Sequence, residues 1–236
     1  MRESDRNELT PRVSSFWDSP ENVARFAARE PDVRLAKLIH EYSNPSATKV
    51  LDLGCSGGRN AVLLAENGFD LEAIDASSAM VAKTRERLAS ILGADEAERR
   101  TRLGRMDDLS RFGDATFALV VALGVYHCAQ SRAEWDRALA ETARVLAPAG
   151  RILVSVFTPE TDLTGRGTHP VAGEPNLYQG FDSGRHFLMD AAALDREMAR
   201  HGLRPLEPTR TARPKVETGR RVSANGLYVK SSSGRT

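Results

Sequence analysis

The chain has 236 residues, 41% hydrophobic and 28% charged, with Lys+Arg 33 against Asp+Glu 32 and a formal net charge of +1. That length suits one substantial globular domain or a core with a small cap, and so balanced a charge gives no whole-protein field to gather nucleic acid or an anionic membrane. The start, MRESDRNELT, lacks the apolar core of a signal peptide, the run FALVVALGVY is too short to span a bilayer, and Cys55 and Cys128 form no C-x-x-C; a cytoplasmic protein without a disulfide framework or a zinc site is expected.

Residues 1 to about 19 are polar and punctuated by Pro11 and Pro20, and read as a mobile arm. Apolar spacing from Glu21 to Tyr42 predicts helix, interrupted near Pro31. After the loop SNPSAT, strand-like and helix-like segments alternate. KVLDL is a short apolar strand, RNAVLLAEN a helix stopped by Gly68, and FDLEAID a second strand. A helix capped by Ser77 runs to Gly93, TRLG is a weak third strand, and TFALVVAL a strong fourth. Ser131 and Glu134 form a capping box ahead of Trp135, Ala138, Leu139, Thr142, Val145 and Leu146 at helical spacing. Pro148 and Gly150 are expected to stop that helix before the fifth strand, RILVSVF. From Thr158 to about Gly184 the periodicity breaks into a Pro- and Gly-rich polar stretch, the kind of segment that carries function or is disordered. A helix from Asp190 to Gly202 and the strand candidates LRPLEP and SANGLYVK close the chain. Strands apolar on both faces and alternating with helices predict an α/β fold around a mostly parallel sheet.

The stretch VLDLGCSGGRN, Val50 to Asn60, carries the chemistry. Gly54 to Gly58 fits G-x-S-x-G, which presents a nucleophilic serine in hydrolases. Such an elbow follows several strands and an earlier oxyanion loop, whereas KVLDL is the first strand here, so Ser56 reads as a small residue of a binding loop. A cofactor loop needs a strand, a glycine turn, a helix start and then an acid about 20 residues on. Asp75 follows Gly54 by 21 residues, at the end of the second strand, where a carboxylate can accept both ribose hydroxyl protons. The glycines at 54, 57 and 58 do not match the G-x-G-x-x-G of dinucleotide enzymes.

Asp52, Gly54, Ser56 and Gly58 do match D-x-G-x-G-x-G, with serine at the middle glycine. With AIDASSAM and ALAETARVLAPAGRILVSVF, this motif resembles the class I S-adenosylmethionine-dependent methyltransferases, small-molecule enzymes of the type 11/25 kind, from about Val50 to Phe157. GRNAVLLAENGFDLEAIDAS is also similar to tellurite-resistance-type members. The resemblance implies a Rossmann-like sheet of seven strands, mostly parallel with the last antiparallel, and helices on both faces. It divides the chain into an N-terminal arm and cap helix over 1–45 and a methyltransferase domain over 46–236 with a substrate-side insert at about 158–189. It implies S-adenosyl-L-methionine as cofactor. Gly54, Cys55, Ser56 and Gly58 would line its methionine part, and Asp52 would orient that loop or the ammonium group. Asp75 would hold the ribose, while Ala76 and Met80 would flank the adenine. In LGRMDDL, Arg105 stands where the family carries an adenine-binding acid; Asp107 could substitute for it, or Met106 could contact adenine through its backbone. Leu123 closes the fourth strand beside the cofactor.

His127, just past that strand, is the candidate catalytic residue: a histidine can take a proton from an acceptor hydroxyl or amine, or it can shape the pocket. No metal ligand set is expected, and neither N-P-P-Y nor a nucleic-acid module is present. The activity expected is methyl transfer to an oxygen or nitrogen of a small-molecule acceptor by in-line displacement, in a monomer or homodimer with neither membrane nor nucleic acid as partner. A non-catalytic adenosyl-cofactor-binding protein and an NAD-type oxidoreductase are the alternatives.

Overall fold

The computed structural model describes residues 15–231, so most of the expected arm and the last five residues lie outside the described residues. The chain forms two compact units, one of residues 1–106 and 117–121, the other of 107–116 and 122–236.

The first unit opens with α1 (Pro20–Ala27) and α2 (Val33–Leu38), separated at Pro31 as the sequence predicts. There follow β1 (Lys49–Leu53), α3 (Arg59–Glu66), β2 (Asp70–Asp75), α4 (Ser78–Leu92), α5 (Ala94–Arg100) and β3 (Thr101–Leu103), and then most of β4 (Phe117–Leu123). β1 pairs in parallel with β2 and with β4, placing Val50 opposite Leu71 and Leu119; β3 pairs in parallel with β2. Val50, Leu51, Leu71, Ala73, Leu119 and Val121 are fully buried, which is why these strands read as continuous apolar runs. The Ser77 hydroxyl caps α4 by accepting from the Met80 N–H. Gly93, at φ 85°, ends α4 as expected, but the chain then re-enters helix for α5, which the apolar pattern does not announce. Charge supports it instead: Asp95 and Glu96 sit in the first turn and Arg99 and Arg100 in the last, complementing the helix dipole.

The second unit holds α6 (Arg132–Val145), β5 (Leu146–Phe157), β6 (His169–Pro170), β7 (Leu177–Phe181), β8 (Gly184–Phe187), α7 (Ala191–Arg200), β9 (Leu203–Pro205), β10 (Arg210–Ala212) and β11 (Ser223–Lys230). Ser131 caps α6 through the Glu134 N–H, yet the Glu134 carboxylate turns to the Gln130 N–H at 2.7 Å, one residue before the usual partner of a capping box. Pro148 and Gly150 are not the stop: α6 ends at Val145 and β5 begins at Leu146 without a loop. The Lys230 ammonium donates to the carbonyls of Ala143 and Leu146 at 2.6 and 2.7 Å, satisfying the helix end.

The strand order is β10-β11-β5-β4-β1-β2-β3, with β9 also on β11. β11 runs antiparallel to β5, as expected for the last strand. The sheet has eight strands rather than seven, because the short antiparallel pieces β9 and β10 both pair with β11. The stretch expected to be irregular contains a second sheet, β6-β7-β8, all antiparallel. Asp162 orders its approach by accepting the N–H groups of Thr164, Gly165 and Gly167. Leu177, Phe181 and Phe187 bury the apolar side. Among the described residues no helix is long and apolar enough to cross a membrane.

Replacing Lys230 by Met should leave the last carbonyls of α6 unsatisfied and destabilise the fold by about 1–3 kcal/mol. For a chain of this size that corresponds to a fall of roughly 2–12 °C in melting temperature by calorimetry; an unchanged melt would show that the ammonium contributes nothing to the helix end.

Candidate cofactor site

The site grows from the ends of β1 and β2. Beyond Leu53 the chain turns at Gly54 (φ 75°), Ser56 (φ 54°) and Gly58 (φ 82°), where α3 begins. The N–H groups of Gly54 and Cys55 both donate to the Ile74 carbonyl at 2.9 Å, tying the loop to the end of β2. Ser56 holds a left-handed conformation that glycine takes freely and that disfavours a side chain by on the order of 1 kcal/mol. Three ties hold it there: its N–H donates to Asp75 Oδ2 at 2.8 Å, its carbonyl accepts from the Thr84 hydroxyl at 2.7 Å, and its own hydroxyl meets Met80 Sδ at 3.6 Å. A hydroxyl directed at a thioether has no base to activate it, so the hydrolase pattern is one of letters only.

Asp75 joins the two loops. Oδ2 accepts the Ser56 N–H and Oδ1 accepts the Ser77 N–H at 2.9 Å. Burial pushes its carboxyl up to about 6, against the lowering effect of those two N–H groups, and the nearby Asp18 adds to the rise. Asp52, 1% exposed at the end of β1, is pushed up to about 7 by desolvation, partly offset by Arg59. Its Oδ2 is buried without a hydrogen-bond partner among the described residues. The Cys55 thiol, buried beside Thr84, is pushed well above its ordinary value by desolvation and the two carboxylates, so it is inert as a nucleophile.

The first unit thus brings together Asp52, Gly54, Cys55, Ser56, Gly58, Asp75, Ala76 and Met80, and it also contains buried Met106. These residues fit an adenosyl cofactor: Asp52 Oδ2 lacks a donor where an ammonium would supply one, and Asp75 keeps acceptor capacity for ribose hydroxyls. Asp107, Leu123 and His127 belong to the second unit. The Asp107 carboxylate pairs with Arg137 at 2.8 Å, and Leu123 is half-buried at the end of β4. His127 is buried, stacks on Phe157 with centroids 3.9 Å apart, and accepts the Phe157 N–H at Nδ1. Desolvation, with help from His186 and Arg221, holds its imidazole well below the ordinary range. His186 is lowered to about 3 by burial, and its Nε2 faces the Ser183 hydroxyl at 2.7 Å. Donor atoms of His127, Cys128 and His186 lie within 4.8 Å of one another, and each residue already makes a hydrogen bond inside the protein.

Thr84, Asp18 and Arg87 also hydrogen-bond the residues of these loops, and the motif does not contain them. Thr84 was legible, four residues after Met80 and four before Leu88 on the inward stripe of α4.

Both raised carboxyls bind protons more readily in the fold than in the unfolded chain. The stability they contribute is full below about pH 4 and is lost as pH rises towards 7. Asp52→Asn should therefore raise the melting temperature of the cofactor-free protein at about pH 8 and leave it unchanged near pH 4. A melting difference that does not depend on pH would overturn the assignment.

A family model described as a methyltransferase domain matches residues 24–207. No curated protein matches the chain. Among solved structures, the 1,6-didemethyltoxoflavin-N1-methyltransferase of Burkholderia thailandensis, with 1,6-didemethyltoxoflavin and S-adenosylhomocysteine bound, is 24% identical at a TM-score of 0.67, over 93% of this chain and 85% of that one. The CcbJ methyltransferase of Streptomyces caelestis is 20% identical at 0.65, over 93% and 99%. The magnesium protoporphyrin IX methyltransferase of Synechocystis PCC 6803, with S-adenosylmethionine bound, is 15% identical at 0.62, over 95% and 99%. These likenesses establish the fold, and the match over residues 24–207 places the chain in the methyltransferase-domain family, as a class I S-adenosylmethionine-dependent enzyme.

Proposed function

We propose that the enzyme methylates an oxygen or nitrogen atom of a small-molecule acceptor. The observation that carries the cofactor half of this reading is the Asp75 carboxylate shared between the Ser56 and Ser77 N–H groups, with the unpartnered Asp52 Oδ2 on the neighbouring strand. When bound, S-adenosylmethionine supplies a sulfonium methyl that a nucleophilic oxygen or nitrogen displaces in line. Asp75 would hold the ribose, Asp52 the ammonium or its loop, Gly54 to Ser56 and Gly58 the methionine part, and Ala76, Met80 and Met106 the adenine. Asp107, with its carboxylate engaged by Arg137, would offer a backbone contact only, and Leu123 an apolar one.

The acceptor half rests on His127 and on the insert at about 158–189, which we read as the substrate-side part of a methyltransferase domain over 46–236, with 1–45 as arm and cap. With Nδ1 accepting the Phe157 N–H, the neutral His127 ring carries its proton on Nε2. A ring so arranged donates a hydrogen bond to an acceptor atom and aligns it, and it is a poor base. Alignment suffices for displacement from a sulfonium, since holding reactants about 3–3.5 Å apart in line removes most of the entropic barrier. The N1-methyltransferase activity named for the Burkholderia enzyme, which holds 1,6-didemethyltoxoflavin, supports the acceptor class.

Labelled-methyl transfer from S-adenosylmethionine across a panel of hydroxyl- and amine-bearing metabolites should give a labelled product; cofactor binding without transfer to any of them would favour a binding protein. Asp75→Asn should weaken S-adenosylhomocysteine by about 1–3 kcal/mol in calorimetric titration, through loss of a charge-assisted acceptor; unchanged affinity rejects the ribose role. Nitrogen-15 spectra should show His127 uncharged with its proton on Nε2 at about pH 6, where an ordinary histidine is largely charged. A titration of that ring near its ordinary value would restore it as a base.

A further inference from the structure

Residues 15–28 lie across both loops of the cofactor site within the first unit, and polar contacts hold them there. Asp18 Oδ1 accepts from the Ser77 hydroxyl at 2.6 Å and from the Ala79 N–H at 3.3 Å, at the start of α4. Ser77 is also the residue whose N–H binds Asp75. Toward the other end of α4, Arg87 Nη1 donates to the Ala27 carbonyl at 2.9 Å and to the Gly57 carbonyl at 2.8 Å, so a single guanidinium ties the end of α1 to the glycine loop. Gly57 lies against Ala27 so closely that a Cβ added there would stand 2.6 Å from the Ala27 Cβ.

The strap itself is well formed. Ser19 caps α1 through the Asn22 N–H, Pro20 occupies its first turn, and Phe16, Trp17 and Phe26 pack ring to ring at 5.0 and 5.2 Å. Yet α1 has no buried residue. A helix whose apolar residues are at most half-buried, tied down in part by partly exposed hydrogen bonds, opens at less free energy than the global fold. It is a weakly seated element on two strongly built loops.

We propose that residues 15–28 form a strap latched over the cofactor loops by Asp18 and Arg87, and that its opening governs the exchange of cofactor and its demethylated product. Asp18 and Arg87 are positioning residues: they act through Ser77 and Gly57. The inference rests on the assignment of this loop and Asp75 to the cofactor. It gives the enzyme a release step set by a conformational change.

The test uses the full chain with S-adenosylhomocysteine as probe. Stopped-flow displacement would measure its release from the wild type, Asp18→Ala, Arg87→Met and the conservative Arg87→Lys, and hydrogen exchange would follow the amides of 15–28 with and without the probe. We expect the probe to slow exchange of those amides in the wild type. Arg87→Met and Asp18→Ala should each speed release about tenfold, the equivalent of one lost charge-assisted bond. Arg87→Lys, which can still reach one carbonyl, should fall between. Apo melting temperatures close to the wild type's would separate a latch from a fold defect, and Asp18→Ala, which removes a part-buried contact to the start of α4, decides the case if Arg87→Met fails to fold. Release unchanged in Asp18→Ala and in every folded Arg87 variant overturns the strap. A wild type that does not bind the probe overturns the cofactor assignment beneath it.

Discussion

A half-buried carboxylate shared between two loops is the constraint on which the first unit depends. Asp75 receives one N–H from the loop after β1 and one from the loop after β2, so neither loop can move without stranding a charge. Burying that charge is expensive, and two backbone donors do not fully compensate: the carboxyl stays raised to about 6. Asp52 repeats the condition more severely, with a buried Oδ2 that has no hydrogen-bond partner among the described residues. The fold therefore carries two acids whose ionisation it resists. A ligand that brings hydroxyls to one and a cation to the other relieves both at once. On the proposed assignment of Asp75 to the ribose and Asp52 to the ammonium, the cofactor would meet both demands.

The second unit is built the other way. Its buried imidazoles are kept neutral, and one nitrogen of each is engaged from within, His127 Nδ1 by the Phe157 N–H and His186 Nε2 by the Ser183 hydroxyl, while His186 Nδ1 has no partner among the described residues. Phe157 and Phe181 pack against the same rings, at 3.9 Å from His127 and 4.3 Å from His186. Such a cluster has rigid surfaces and little basicity. It suits a reaction whose leaving group is already good and whose barrier is one of orientation.

Much of this was legible in the sequence because the responsible forces act locally. Continuous apolar runs marked β1, β2 and β4, the glycines with Asp75 marked the loop, and Ser77 and Ser131 marked helix starts. What was not legible depended on partners distant in the chain. Pro148 and Gly150 read as the helix stop, but α6 hands directly to β5 and its last carbonyls are met by Lys230. The insert read as irregular because its strands are short and divided by turns, while the Asp162 contacts that order it are not a periodic signal. Asp107 read as a replacement for the adenine-binding acid, and its carboxylate sits on Arg137, thirty residues away. Asp18 fell in the stretch read as a mobile arm, and no sequence signal singled out Arg87; only tertiary structure gives either a partner near the cofactor loops.

The glycine loop shows why a motif and its physical cause can diverge. The family pattern places glycine where this chain has Ser56, and there the backbone is indeed left-handed, yet a side chain is accommodated because Asp75, Thr84 and Met80 together hold it. Gly57 is the converse. Its φ is not positive, so the turn itself does not require glycine, but no Cβ can fit there with the Ala27 backbone at 2.7 Å. Gly54 and Gly58 answer to backbone conformation, while Gly57 answers to the strap. The requirement for a bare backbone at position 57 thus comes from thirty residues upstream, and it makes the loop and the strap one object: a chain that binds its cofactor through this loop has also fixed what must lie over it.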